Sequence, residues 1–339
     1  MELIMNNLNV VWFILLCVLF AGFFLLEGFD YGTGILLPFI GKTDVERRQM
    51  INALGPVWDG NEVWMITAGG ALFASFPHVY ATLFSGFYLA LFLMLAVLIM
   101  RGVAFEFRSK SPNRTWRKVF DYCIFIGSIV PALLWGVTVG NLIQGTPIDE
   151  TMTYVGTFWD LLSPYTVLCG IAFILLFTYH GGLFSCIKTA GAISERSRAA
   201  SLVVGVPTAI GALALVVATY VYTDLFNSVL AMVCFALAIV FLLVSWGAAR
   251  TRNKKWGFVF SSLSVISVTA AYFAGLFPRI MVSSLNPEWS LTITNAASSD
   301  YTLALMTVVA LIFVPIVLAY QIWVYWIFRH RVTEKDLHY

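Results

Sequence analysis

The chain has 339 residues, of which 60% are hydrophobic and only 11% are charged. Because soluble globular domains carry about 25% charged residues, this composition excludes an ordinary soluble enzyme and indicates a polytopic membrane protein. The formal net charge of +2 lacks the strong basic character of a nucleic-acid-binding protein, and the five cysteines show no C-x-x-C spacing that would indicate a disulfide framework or a thiolate metal site.

Eight apolar stretches are long enough to cross a bilayer, which requires about 20 mainly apolar residues. They cover residues 9–40, 79–101, 119–143, 160–187, 199–222, 226–249, 256–277 and 302–328. The sequence therefore predicts an all-α polytopic membrane protein with about eight transmembrane helices in a single integral membrane domain, 1–339. We expect a first four-helix bundle over 1–190, a second over 191–328 and a cytoplasmic tail over 329–339.

Residues 44–77 differ from the other segments. "TDVERRQMINALGPVW" is charged and amphipathic, and "MITAGGALFASF" is long enough for only half a span. Irregular backbone is stable at membrane depth only where protein covers it or water reaches it. We therefore expect one or two short extra helices over 44–77, partly folded back against the bundle.

The positions of Lys and Arg predict the orientation in the membrane. Sixteen of the twenty fall in the connections after spans 2, 4 and 6 and in the C-terminal tail. In an eight-span topology, Lys42, Arg47, Arg48 and Arg279 lie on the other side. Since cytoplasmic loops carry an excess of Lys and Arg, this pattern predicts that both termini are cytoplasmic.

The first span carries two carboxylates, Glu27 and Asp30, in "LLEGFDYGTGILLPF". They are three residues apart and so lie on one helix face. Ionisable groups inside a membrane are costly and mark functional sites by default, and two desolvated carboxylates could share a proton or hold a cation. The equally weighted alternative is structural pairing with a neighbouring helix or an arginine. Gly28 and Gly32 allow a close helix–helix approach here, which we expect to involve a partner subunit.

A second acidic pair lies in "GPVWDGNEVWMITAGG", where Asp59 and Glu62 are also three residues apart. Asp59 could simply cap a helix by accepting backbone N–H bonds. Capping does not explain Asn61, the second carboxylate or the flanking Trp58 and Trp64. The two tryptophans suit either a membrane interface or stacking against a ring-shaped ligand such as a quinone.

Histidines are scarce for a haem protein. A membrane haem b usually needs two axial ligands, often histidines on facing helices. His330 and His338 lie in the polar tail, His78 lies at a membrane border, and His180 lies near the end of a span. We expect that this chain binds no haem and no metal by itself, and that His180 is a hydrogen-bonded structural residue.

Five segments carry a resemblance to a known family. They are "GFDYGTG" (28–34), "ERRQMINALGPVWDGNEVWMITAGGALFASFPHVYATLFSGFY" (46–88), "FEFRSK" (105–110), "FIGSIVPALLWGVTVGNLIQG" (125–145) and "WGFVFSSL" (256–263). Together they resemble subunit II of cytochrome bd-type quinol oxidases, and "WDGNEVW" is very specific to that family.

The resemblance implies the non-haem subunit of a bacterial cell-membrane complex that oxidises quinol and reduces dioxygen to water. It implies a larger partner, subunit I, that holds two haems b and one haem d. By resemblance, Asp59 belongs to a proton path from the cytoplasm, and Trp58 can contact a quinone. From their positions in the sequence, Glu62, Glu27 and Asp30 could extend this path or hold it in place, and Asn61 is a further candidate for contact with a cofactor. Trp64 lies near an oxygen route in some members.

Only "TDLF" joins spans 5 and 6, so the chain resembles insert-free forms, for which menaquinol is the expected donor. Further expected partners are lipid and a small single-span accessory subunit. The competing hypothesis is a proton- or cation-coupled secondary transporter. Transporters carry interrupted spans at matching positions in both halves, whereas the only interrupted region here, 44–77, lies in the first half.

Overall fold

The computed structural model describes residues 7–337, which form eleven α-helices and one pair of short antiparallel strands. The helices are α1 (Leu8–Ile40), α2 (Asp44–Leu54), α3 (Trp58–Ser75), α4 (Pro77–Gly86), α5 (Tyr88–Phe107), α6 (Arg114–Gln144), α7 (Pro164–Lys188), α8 (Gly191–Tyr222), α9 (Val229–Arg250), α10 (Lys254–Leu276) and α11 (Asp300–Ile327), and the strands are β1 (Arg279–Met281) and β2 (Leu291–Thr292). All of these helices except α2, α3 and α4 are long and apolar enough to cross a membrane. The all-α prediction with about eight transmembrane helices is confirmed.

Local capping moves several predicted boundaries. The side-chain oxygen of Asn113 accepts the backbone N–H of Thr115 at 2.8 Å, so α6 begins at Arg114, five residues before the apolar run. Ser163 caps α7 through the N–H of Thr166. The stretch 79–101 divides into α4 and α5, and α5 continues to Phe107.

Helix α3 is longer than the half-span that the sequence predicts. Its 18 residues extend about 27 Å at the rise of an α-helix, close to the thickness of a bilayer core. At its start, Trp58 packs against Phe105 of α5. At its end, the carbonyl of Ser75 accepts the N–H of Ser298 at 2.9 Å, just before α11. Helix α3 therefore runs the length of the bundle, antiparallel to α1, and only α2 and α4 are short extra helices.

Ion pairs place the connections that follow α1 and α5 at the same end of the bundle. Asp44 pairs with Arg108 at 3.0 Å and with Arg117 at 2.7 Å, and Arg47 pairs with Asp121 at 2.6 Å. We call this the basic end. The predicted placement of Arg47 and its neighbours on the side opposite to the other basic connections is therefore wrong.

The opposite end, which we call the hairpin end, holds β1, β2 and the start of α1. The side-chain amide of Asn9 donates to the carbonyl of Ile293 at 3.1 Å, and the indole N–H of Trp12 donates to the carbonyl of Leu303 at 3.2 Å. The first described residues therefore lie near the loop that precedes α11.

The last described residues lie at the basic end. The Lys188 ammonium donates to the carbonyls of Phe328 and His330, and the N–H of Val332 donates to the carbonyl of Lys188 at 2.8 Å. The two termini of the described chain thus lie at opposite ends, and the prediction that both are on one side is wrong. The reason is α3, which adds a ninth pass along the bundle.

The core is continuous through the bundle. Phe23 and Phe24 of α1, Phe177 of α7, Phe235 of α9 and Tyr272 of α10 belong to one buried cluster. Since this cluster draws on both halves of the chain, a boundary between two four-helix bundles near residue 190 stays a prediction.

The glycines of α1 contact a helix of the same chain. A Cβ on Gly32 would lie 1.7 Å from the backbone oxygen of Phe177, and one on Gly28 would lie 2.7 Å from the Phe177 ring. The close helix approach is confirmed, but α7 supplies it. The expectation that this glycine face packs on a partner subunit is wrong.

Candidate functional site

A charged cluster lies in the middle of the bundle. Glu27 of α1 and Arg101 of α5 are fully buried and form an ion pair. The same guanidinium nitrogen of Arg101 lies 3.1 Å from Glu62 of α3. The Arg101 guanidinium also lies 4.9 Å from the centre of the Tyr31 ring and 5.3 Å from that of Phe105, where each aromatic face attracts the cation. Arg101 therefore joins three helices through one side chain.

The cluster holds more acidic than basic side chains. Three carboxylates, those of Glu27, Asp30 and Glu62, surround the single guanidinium of Arg101. Within the described residues, one oxygen each of Glu27 and Asp30 and two nitrogens of Arg101 are buried without a hydrogen-bond partner. Buried polar atoms are normally satisfied by protein or ordered water. The arrangement can therefore hold water and carry an exchangeable proton.

A hydrogen-bonded chain leads from this cluster to α11. The amide nitrogen of Asn61 donates to Asp30 at 2.7 Å, and the Tyr325 hydroxyl donates to the amide oxygen of Asn61 at 2.7 Å. Asn61 and Asp30 are fully buried. Asn61 thus bridges α1 and α11. Of the four acidic residues that the sequence singles out, Glu27, Asp30 and Glu62 lie together in this cluster, and Asp59 does not.

The tryptophans that flank the second acidic pair are fixed inside the chain. The Trp58 ring lies 5.1 Å from the ring of Phe105. The Trp64 indole N–H donates to the side-chain oxygen of Gln321 at 2.9 Å, and its ring lies against Gly22, where a Cβ would approach to 2.2 Å. Both rings have protein neighbours that explain their positions without a ligand.

Asp59 is the exception among the predicted acids, because it is exposed. It occupies the first turn of α3, whose N-cap is Val57 with no side-chain capping bond, so the capping hypothesis does not describe it. A Cβ added to the adjacent Gly60 would meet no described atom within 4 Å, and Val63 and Ile66 on the same helix are exposed. Asp59 therefore lies on an outward, mostly apolar face of the bundle.

Sequence reasoning missed two functional side chains, Arg101 and Tyr325. By hydropathy, Arg101 belongs to a connection because the apolar run ends there, but α5 continues for six more residues. The signal that could have identified Arg101 is a lone arginine at the edge of an apolar run, in a chain with two pairs of acidic residues that have no basic partner nearby in the sequence. Nothing in the sequence links Tyr325 to Asn61, which is 264 residues away.

The described histidines do not offer a pair of facing haem ligands. His180 is fully buried, and its ring nitrogens contact the Ser261 hydroxyl at 2.7 Å and the carbonyl of Leu25 at 3.1 Å. It also stacks on Phe258, with ring centres 4.8 Å apart. His78 and His330 are exposed, and His338 lies outside the described residues. Residues 7–337 contain no cluster of three or more metal-ligating side chains.

The fold and the cluster define a multi-pass helical membrane protein with acidic side chains in its interior. Residues 8–328 match the family model for cytochrome bd terminal oxidase subunit II. The chain is 40% identical to cytochrome bd ubiquinol oxidase subunit 2 of Bacillus subtilis, over 98% of this chain and 99% of that protein. It is 39% identical to cytochrome bd-I ubiquinol oxidase subunit 2 of Escherichia coli K12, over 97% and 96%. The chain belongs to the cytochrome bd oxidase subunit II family.

A solved structure shares the fold. The bd oxidase from Geobacillus thermodenitrificans matches with a TM-score of 0.76 at 16% identity, over 95% of this chain and 98% of that one. Family membership confirms the resemblance seen in the sequence and makes the chain a component of a quinol:oxygen oxidoreductase complex in a bacterial membrane, with subunit I as its partner. Family membership also removes the reason to consider a secondary transporter.

Proposed function

We propose that this chain supports menaquinol oxidation and dioxygen reduction by conducting protons to the haem-bearing subunit I, which holds two haems b and one haem d. The observation that carries this proposal is Asp59, an exposed carboxylate on an otherwise apolar face of α3. Beside this carboxylate at the start of α3 lie the exposed apolar side chains of Val63 and Ile66, which a protein partner would cover. We therefore place subunit I on the α3 face.

The orientation follows from charge. Eighteen of the twenty Lys and Arg lie in connections or helix ends at the basic end, and the exceptions are Arg101 in the interior and Arg279 near the hairpin end. Under the rule that positive loops stay inside, the basic end is cytoplasmic. The 329–337 tail is then cytoplasmic and the start of α1 faces the outer side. Asp59 begins the helix that enters from the cytoplasm, so cytoplasmic protons reach it first.

In this proposal, the interior cluster extends the proton path that begins at Asp59 or holds that path in place. Glu62 lies one turn after Asp59 and pairs with Arg101, which pairs with Glu27. Asp30 connects through Asn61 to Tyr325. Proton relays in membranes are built from such acids together with water. The buried atoms without partners in this cluster mark where relay water would bind.

A second part of the proposal concerns apolar ligands. A cavity of about 680 Å³ lies between α1, α3, α5, α6 and α10 and is lined almost wholly by apolar side chains, including Phe13, Phe20 and Trp135. Its volume lies in the range of small-molecule sites, and its lining suits the isoprenoid tail of a bound quinone. A quinone contact at Trp58 and an oxygen route past Trp64 are kept as predictions, as is a single-span accessory subunit.

The test is Asp59→Asn in the intact two-subunit complex. Asparagine keeps the size and polarity of an exposed side chain, so the fold and haem content should be unchanged. Loss of a proton-transfer group should lower turnover by about an order of magnitude or more, and Asp59→Glu should restore much of it.

The matched control is Glu288→Gln, which removes an exposed carboxylate at the hairpin end. It should leave turnover unchanged. Wild-type turnover with normal haem content in Asp59→Asn would reject the proton role of Asp59 and leave the family assignment intact.

A further inference from the structure

A groove opens on the membrane face of the bundle at the basic end. Its volume is about 490 Å³, and its walls come from the last turns of α1, from Thr178 of α7 and from the first half of α8. Most of the lining side chains are aliphatic or aromatic, such as Phe39 and Val203, and Arg196 is the only charged residue among them.

The groove lies between the last turns of α1 and the first half of α8. Gly136 and Gly140 of α6 contact α7 near Cys169, which brings these helices together toward the hairpin end. Farther along, α6 contacts α1 instead, where Phe39 meets Phe125 with ring centres 5.8 Å apart. The end of α1 thus reaches the surface, and the small side chains at 199–200 leave the space beside it open.

The groove lies away from the face that we assign to subunit I. At 100° per residue on a helix, Ile35 and Phe39 lie on the side of α1 opposite to Asp30, which contacts α3. Phe39 is 68% exposed and Val203 is 72% exposed, and these apolar side chains form the rims. Lipid chains therefore reach the groove from the bilayer.

Arg196 supplies the polar end of this site. One of its terminal nitrogens pairs with Glu46, and the side chain, which lines the groove, is 24% exposed. A guanidinium presents paired N–H groups that match phosphate oxygens. Lys42, two residues beyond Ile40, is exposed and adds positive charge at the same end.

Glu46 offsets the charge of Arg196, so the excess positive charge at this end comes from the exposed Lys42. Partial burial alone would raise the pKa of Glu46, but the N–H groups of Thr43 and Lys42 and the Arg196 guanidinium hold it below its usual value. One Glu46 oxygen accepts both N–H groups, at 3.0 and 2.9 Å, and the other accepts from Arg196. The carboxylate is thus held by its own helix start and by one nitrogen of Arg196, and the exposed part of the Arg196 side chain can contact another acceptor.

We propose that this groove binds one acyl chain of an anionic phospholipid, with the lipid phosphate against Arg196 at the basic end. Basic pockets between membrane helices on the cytoplasmic side are suited to anionic lipid headgroups. Its volume of about 490 Å³ and its mostly apolar lining suit a flexible hydrocarbon chain.

The experiment uses the intact two-subunit complex in nanodiscs of phosphatidylcholine. A small fraction of phosphatidylglycerol carries a photoactivatable acyl chain, and a parallel sample carries the same chain on phosphatidylcholine. Labelled peptides are identified by mass spectrometry. The phosphatidylglycerol probe should label residues 35–40 and 199–204 more strongly than the phosphatidylcholine probe.

Two variants and one control separate the contributions. Arg196→Gln should reduce the preference for phosphatidylglycerol about five-fold, the effect of one basic residue near the surface. Val203→Trp fills the groove from an exposed position and should reduce labelling by both probes. Arg198→Gln, which removes a side chain bonded to Glu195 and to the carbonyl of Ala249, should leave labelling unchanged.

Free glycerophosphate distinguishes a lipid site from a simple phosphate site and should not displace the probe. Equal labelling by both probes, or an unchanged preference in Arg196→Gln, would overturn the proposal. Full displacement by glycerophosphate would also overturn it, since the acyl chain would then contribute nothing. None of these outcomes depends on oxidase turnover, so the test is independent of the proton role of Asp59.

Discussion

Arg101 offers the sharpest test of the interior cluster. In Arg101→Met, Glu27 and Glu62 lose the one cation that they contact among the described residues. The side chains of Arg101 and Glu27 are both 0% exposed, and removing one partner of a buried ion pair costs about 3–5 kcal/mol. We expect a loss of this size in the free energy of unfolding of the purified complex, measured in mixed detergent micelles.

A matched control is available at the surface. Arg279 pairs with Asp224 at 2.8 Å, but these side chains are 24% and 48% exposed. Exposed ion pairs contribute about 0–1 kcal/mol because water and salt screen them. Arg279→Met should therefore cost no more than about 1 kcal/mol, although it removes the same type of side chain.

A double variant identifies the cause. If the cost of Arg101→Met comes from uncompensated negative charge, adding Glu27→Gln should recover part of it, and the two changes will be strongly non-additive. Arg101→Lys should retain only part of the stability, because an ammonium keeps the charge but not the position of the guanidinium nitrogen that contacts both Glu27 and Glu62. A cost as small as that of Arg279→Met, or full additivity with Glu27→Gln, would refute this account of the cluster.

Two further predictions concern packing and cofactor content. Gly32→Ala places a Cβ 1.7 Å from the Phe177 carbonyl oxygen, so α1 and α7 must separate, and we expect a lower yield of intact complex. The control is Gly247→Ala, whose Cβ would meet no described atom within 4 Å; this variant should assemble as wild type does. Equal yields would show that the glycine is not required for the close approach. His180→Gln should lower the thermal stability of the complex, because a buried hydrogen-bonded ring is lost. The haem absorption per complex should stay constant. Loss of one haem band at a normal ratio of the two subunits would contradict the structural role of His180.

The sequence by itself predicted the membrane class, the helical fold and the family. Hydropathy depends on the composition of each local window, and the apolar windows in this chain are long and clear. The positions of Glu27 and Asp30 on one helix face also follow from local helical spacing. The "WDGNEVW" segment identified the family because it is specific as a string of residues, independently of where its side chains point.

Tertiary structure alone decided the topology and the partners. Asp59, Asn61, Glu62 and several glycines lower the mean hydropathy of α3, so a hydropathy window detects half a span where a full-length helix exists. The missed pass places the first and the last described residues at opposite ends of the bundle. Contacts such as Arg101 with Glu27, 74 residues apart, depend on how helices pack, and local periodicity carries no information about which helix faces which. The sequence therefore located the acids, and only packing determined that one of them, Asp59, faces outward while the others share a buried arginine.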